Sequence, residues 1–278
     1  MKRFPPEAIL VPTDLSETSL AALSYARALR ERFGSRVTVL HAEHLEAPPY
    51  FTSTQAEALL EASRGARAQA VQQVRRVAES RLGFAPEVEV VDGVPSEAVA
   101  AYCEEWSPDL VVLGTHGRRG VSRLWLGSVT ERVIRTSRCP VLAVRRPAAP
   151  EGFGDIFCPV TSGSASEAAL AYAVAIAESQ GSNLHVLHVA ERGEAPLKCP
   201  GVSDDLRDRC QIEETLAQGR VVEGILEGVR DAGSGLIVMG SERKTTPLGE
   251  LFSSTTAQVV QRLDIPVIVV PASDLPKE

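Results

Sequence analysis

The sequence predicts an α/β protein built as two tandem doubly wound domains, each a five-stranded parallel sheet flanked by helices. Three observations predict it. Short β-branched runs bounded by turn residues alternate with longer Ala- and Leu-rich segments of helical period, the pattern of parallel strands joined by crossover helices. The 278 residues exceed one ordinary domain and suit two of common size. The chain is also written twice: residues 9–26 align without a gap to residues 156–173, with Pro12, Ser19, Leu23 and Tyr25 recurring as Pro159, Ser166, Leu170 and Tyr172.

In the first copy strands are expected at residues 8–12, 36–42, 87–91, 110–113 and 141–144. The intervening helices are expected at 18–33, 54–82, 95–106 and 128–136. Their ends have mechanisms: Gly34 suits a helix C-terminus, Thr54-x-x-Glu57 reads as a capping box, and Pro95 fits a first helical turn. The repeat continues through Gly34-Ser35 and Val39-Leu40-His41, matched by Gly181-Ser182 and Val186-Leu187-His188. It returns with Val112-Leu113-Gly114 against Val238-Met239-Gly240 and Pro140-Val141 against Pro266-Val267. Between Val189 and Glu213 the second copy is shorter, so its second helix is truncated to a Pro- and Gly-interrupted stretch containing residues 204–209. Residues 145–154, with two prolines and two glycines, form the linker, which places the domains at 1–147 and 152–278.

Composition narrows the function classes. Hydrophobic residues make up 44% and charged residues 23%, which implies folded cores throughout. The longest apolar runs fall far short of the roughly 20 residues a membrane span requires. The start carries Lys2 and Arg3, then prolines and Glu7 where a secretory signal needs an apolar stretch. Five scattered cysteines, Cys103, Cys139, Cys158, Cys199 and Cys210, contain no Cys-x-x-Cys, so a reducing cytoplasm is expected. A net charge of −7 opposes nucleic-acid binding. His41-x-x-His44 and His185-x-x-His188 lie on strands, where that spacing sends the two side chains to opposite faces, so no metal site is expected. Trp106 and Trp125 are read as packing residues.

In a doubly wound sheet ligands bind at the carboxyl ends of the strands, where strand order reverses. Those ends are Pro12-Thr13-Asp14, His41 and the segment from Gly114. There the sequence runs Gly114-x2-Gly117-x9-Gly127-Ser128. Glycines let backbone amides approach a phosphate closely, and Ser128 opens a helix whose free N–H groups and positive dipole end favour anions. Val129 lies in that first helical turn, Ser128 and Thr130 add hydroxyls, Arg118 adds charge, and His116 sits within the loop. Phosphate is the expected ligand.

On these residues the chain resembles a tandem universal stress protein over essentially both halves. The family's nucleotide-binding pattern, Gly-x2-Gly-x9-Gly-Ser/Thr, is met by Gly114, Gly117, Gly127 and Ser128. The resemblance implies an adenine nucleotide alpha hydrolase-like fold, ATP with its phosphates on this loop, and magnesium held through phosphates and water. It also implies that Asp14 lies near the adenosine end and that the backbone around His41 holds adenine. A stress-response or regulatory role follows, with little or slow hydrolysis, since no Walker lysine, kinase signature or obvious base for activating water is present. No residue is assigned as catalytic. The resemblance further implies an intramolecular pseudo-dimer in which residues 141–144 lie antiparallel to residues 267–270; a further homo-oligomer is left open.

The second copy departs from the pattern: Gly240, Arg243, Ser253 and Ser254 stand against Gly114, Gly117, Gly127 and Ser128, and Thr161 against Asp14. Arg243 puts a side chain where backbone should meet phosphate, and the dihedrals expected of the third glycine disfavour Ser253. Residues 1–147 hold 19 Lys/Arg against 17 Asp/Glu, the remainder 10 against 19, so an anion favours the first half. One nucleotide per chain, in the first copy, is the expectation. A nucleotide-independent interaction module is the alternative. An adenylating enzyme of the related pyrophosphatase superfamily is a third reading, prompted by Ser162-Gly163-Ser164-Ala165-Ser166, which lacks the second glycine and the aspartate such a loop requires.

Overall fold

The structure is a computed structural model that describes residues 4–43, 50, 52–115, 126–147, 152–190, 207, 210–241 and 255–272. The first repeat runs β1 (Ala8–Pro12), α1 (Glu17–Phe33), β2 (Arg36–Glu43), α2 (Ser53–Leu82), β3 (Glu87–Asp92), α3 (Pro95–Trp106), β4 (Leu110–Gly114), α4 (Ser128–Thr136) and β5 (Val141–Val144). The second runs β6 (Ile156–Val160), α5 (Ser164–Gln180), β7 (Leu184–Ala190), β8 (Ile212–Gln218), α6 (Val221–Ala232), β9 (Leu236–Ser241), α7 (Thr255–Arg262) and β10 (Val267–Pro271). Of the truncated second helix read from the sequence at 204–209, only Arg207 lies within the described residues, in helical conformation.

Local chemistry sets the helix ends. Ser16 caps α1 by accepting a bond from the Ser19 amide, and Gly34 ends it at φ 76°, donating its N–H to the Arg30 carbonyl. Gly181 ends α5 in the same left-handed conformation, at φ 67°. Pro95 occupies the first turn of α3. The capping box expected at Thr54 is displaced, because α2 already begins at Ser53 and Thr54 sits inside its first turn.

Each repeat orders its strands β3-β2-β1-β4-β5 or the equivalent β8-β7-β6-β9-β10, with every neighbour inside a repeat parallel. The two sheets are continuous. β10 lies antiparallel beside β5, with Ile268 opposite Leu142 and Val267 opposite Ala143, so one ten-stranded mixed sheet spans the chain. Alternation of side chains along these buried strands divides the core in two. Val11, Val39, Val112 and Ile268 face α1, α2 and α5, while Leu10, Leu40, Leu113 and Val269 face α3, α4, α6 and α7.

Aromatic side chains cross between the repeats on the first face. Phe4 packs edge-on against Tyr172 of α5 with ring centroids 5.7 Å apart, and Phe153 stacks on Tyr25 of α1 at 5.9 Å. Arg145, just after β5, donates to the carbonyls of Val260 (3.3 Å) and Gln261 at the end of α7. The positive charge there meets the negative end of a helix dipole. Trp106 departs from its expected packing role: it is 64% exposed and stacks on Tyr102. Among the described residues no helix is long and apolar enough to cross a membrane.

Candidate functional site

Strand order reverses between β1 and β4, so their carboxyl ends form the rim of a crevice. The chain leaves β1 through Thr13, whose N–H continues the ladder to the Leu40 carbonyl at 2.9 Å. Its hydroxyl lies 3.0 Å from Ser19 Oγ and accepts the Leu15 amide at 3.1 Å. Asp14 Oδ1 accepts the Ser16 amide at 3.0 Å, closing a tight turn. Leu15 in that turn holds φ 62°, a left-handed conformation that costs a branched residue about 1–3 kcal/mol.

From β2, His41 reaches across to the Thr13 carbonyl with Nδ1 at 2.7 Å. A carbonyl only accepts, so Nδ1 carries the proton. The ring fixes the end of β1, and any ligand contact at this position falls to the backbone or to Nε2.

Gly114 ends β4 and faces α1. A Cβ built there would stand 2.5 Å from the Thr18 carbonyl carbon, 2.6 Å from its oxygen and 2.8 Å from the Ser19 nitrogen. The first glycine of the motif is therefore demanded by helix-to-strand contact, a reason different from the phosphate approach the sequence suggested. The loop that follows is tied at its two stems, because Gly127 donates to the Thr115 carbonyl at 2.8 Å and Thr115 donates to Val144 at 2.9 Å. Gly127 then serves as the N-cap of α4 with φ −63° and ψ 142° and, being glycine, supplies no capping side chain. Those angles are open to any residue, which corrects the expectation that the dihedrals of the third glycine disfavour a serine.

Ser128, Val129 and Thr130 form that turn, whose N–H groups have no partner within the helix. Thr130 Oγ1 donates to the Gly114 carbonyl at 2.7 Å and so fixes α4 to the end of β4. A continuous set of contacts thus runs from Thr130 to Gly114, to the first turn of α1, to Thr13 and to His41. It brings together Pro12, Thr13, Asp14, His41, Gly114, Gly127, Ser128, Val129 and Thr130. His116, Gly117 and Arg118 lie outside the described residues. Ser19, which bridges Thr13 to the helix, was legible only as a residue shared by the two repeats.

The second repeat keeps this scaffold. Gly240 faces Ala165 and Ser166 as closely as Gly114 faces α1, with a built Cβ 2.4 Å from the Ala165 oxygen. Thr256 Oγ1 lies 3.4 Å from the Gly240 carbonyl, and buried His188 holds the Val160 carbonyl at 3.0 Å. The turn after β6 differs: Thr161 donates its amide to Ser166 Oγ at 2.9 Å, and the positive φ, 123°, falls on Gly163. His185, on the same strand as His188, instead faces Glu213 at 3.1 Å. Among the described residues no group of three or more His, Cys, Asp or Glu side chains is placed to hold a metal ion.

Known proteins share this plan. A universal stress protein of Methanocaldococcus jannaschii is 32% identical over 142 residues, which is 50% of this chain and 82% of that protein. One of Mycolicibacterium smegmatis is 25% identical over 289 aligned residues, covering 94% of this chain and 96% of its own. The crystal structure of a universal stress protein from Archaeoglobus fulgidus shares the fold with a TM-score of 0.72, at 24% identity over 97% of this chain and all of that one. The model of the universal stress protein family matches residues 6–145 and 205–271, so the chain belongs to that family.

Proposed function

We propose that this stress protein binds one ATP per chain, in the first repeat, and works as a cytoplasmic regulator whose nucleotide state alters its interactions. The observation that carries the reading is the start of α4: Gly127, an N-cap with no side chain of its own, and Ser128 open the helix beside the reversal of strand order. An anion there meets backbone N–H groups and the Ser128 hydroxyl, with Gly117 of the motif completing the loop. The strained Leu15 turn supports the assignment, since a left-handed leucine is kept where Asp14 must be presented. Asp14 serves the adenosine end, and magnesium is held through phosphates and water. Turnover is slow, since the sequence carries no Walker lysine or kinase signature and no side chain among the described residues of the site is an evident base for activating water. The repeats act as two domains, 1–147 and 152–278, paired as a pseudo-dimer through β5 and β10, with the second chiefly a structural partner.

Equilibrium dialysis of labelled ATP against protein freed of nucleotide tests the reading. One equivalent is retained by the wild type, and little by a Gly127→Val, Ser128→Ala double variant. No retention by the wild type overturns it and leaves the nucleotide-independent interaction module.

A further inference from the structure

The described residues of the second repeat leave open the position that matches the proposed nucleotide site. It holds a cavity of about 290 Å³ lined by Pro159, Val160, Leu187, Val189, Val221, Ile225 and Met239, with Thr161, Ser162, Ser166, Thr255 and Thr256 among its hydroxyl-bearing walls. Among the described residues that line it there is no lysine, arginine, histidine, aspartate or glutamate.

The differences from the first repeat share one direction. Thr161 stands for Asp14, removing a carboxylate. Val189 stands for Ala42 and Val221 for Pro95, adding branched apolar surface, while Met239 stands for Leu113 with a more adaptable side chain. The cavity sits in the half of the chain with the large acidic excess, which repels anions. Its volume lies at the lower limit of small-molecule pockets, and its walls combine apolar surface with a few hydroxyls, the usual composition of such sites. A charged triphosphate would lose its hydration against these apolar walls.

We propose that the second repeat is a binding site for an uncharged, ring-sized organic molecule, held by apolar contact with Leu187, Ile225 and Met239 and oriented by the Thr161 and Thr255 hydroxyls. The site is separate from that of the first repeat, and its existence does not depend on whether the first repeat takes ATP.

The test uses the full chain and the neutral dye N-phenyl-1-naphthylamine, whose emission brightens in apolar surroundings. With ATP present in excess, the wild type binds one equivalent of dye. Val221→Trp, which fills the cavity from a half-buried rim position, weakens dye binding by about tenfold or more. The same variant leaves ATP stoichiometry and the unfolding midpoint unchanged. Thr161→Asp, which returns a carboxylate to the wall, weakens the dye as well. Absence of dye binding overturns the proposal, as does dye binding indifferent to both variants or displacement of the dye as a second ATP enters. Failure of ATP to bind the first repeat is read separately, by dialysis, and leaves the dye result standing.

Discussion

Replacing Gly114 or Gly240 by alanine separates the two reasons a glycine can have at the head of a phosphate loop. In both places a Cβ would sit 2.4–2.6 Å from backbone atoms of the facing helix, at Thr18 in one repeat and Ala165 in the other. Ordinary carbon contacts are about 3.5–4.0 Å, so the helix must retreat by about 1 Å. Overpacking of this kind costs about 1–3 kcal/mol, and a clash with backbone belongs at the upper end. Alanine returns up to about 1 kcal/mol by restricting the unfolded chain, which leaves a net loss of about 2 kcal/mol in each variant. At a urea slope of about 2–3 kcal/mol per molar, the midpoint of the affected transition falls by about 1 M. Far-UV circular dichroism of the full chain reads this directly, with ATP dialysis alongside. The decisive comparison is Gly240→Ala, in the repeat that lacks the rest of the motif. If it is as stable as wild type, while Gly114→Ala loses ATP and no stability, then the glycine is kept for the ligand and the packing argument fails.

Thr130→Val removes the 2.7 Å bond to the Gly114 carbonyl and should cost about 1–2 kcal/mol, whereas Thr256→Val, whose bond is 3.4 Å, should cost less; equal losses in chemical denaturation would refute the distinction. Tyr172 is buried, its hydroxyl has no hydrogen-bond partner among the described residues, and burial, first, with Asp109 and Cys139 contributing, pushes its pKa far above the ordinary tyrosine value. The unfolded chain therefore releases this proton first, so stability declines as pH rises through about 10 and beyond, and Tyr172→Phe should soften that decline. At neutral pH the same variant should be neutral or stabilising by up to about 1 kcal/mol, and a large loss would show a partner for the hydroxyl. Burial also lowers the pKa of Arg145. Arg145→Met keeps its apolar stem and deletes its bonds to the end of α7, which should cost about 1–2 kcal/mol; an unchanged midpoint would show that these bonds do not hold the two repeats together.

The fold was legible in the sequence because strands buried on both faces and amphipathic crossover helices leave separate periodicities, and because the repeat doubled every signal. Gly34 and Pro95 marked helix ends through backbone chemistry that acts locally. The site was legible only in part. Gly114 stood out for its place in the motif, yet the contact that demands a glycine there is with Thr18, ninety-six positions earlier, and no spacing rule reports it. Ser19 and His41 carry hydrogen bonds that become visible only once β1, β2 and α1 meet. The left-handed Leu15 has no sequence signal, since leucine is among the last residues one would place at φ 62°. Trp106 was misread because its composition says aromatic while its face of α3 is open to solvent.

The two repeats also provide an internal control on what a shared residue means. Gly114, Thr130 and His41 have equivalents in Gly240, Thr256 and His188, and each of these pairs does the same mechanical work in its own repeat, whereas Ser19 meets the Thr13 hydroxyl and its equivalent Ser166 accepts the Thr161 amide. Retention between the repeats therefore identifies scaffold, and the residues that separate a binding repeat from a non-binding one must be among those that differ. Asp14, Gly117 and Gly127 differ, as Thr161, Arg243 and Ser253. If the scaffold is equivalent, grafting should suffice: Thr161→Asp, Arg243→Gly and Ser253→Gly together should raise ATP retention from one equivalent toward two. The grafted site should be the weaker, because the acidic half of the chain repels the phosphates, and the difference should shrink as salt screens that repulsion. A folded triple variant that still retains one equivalent would show that the apolar walls at Val189, Val221 and Met239, and not the loop, decide which repeat takes a nucleotide.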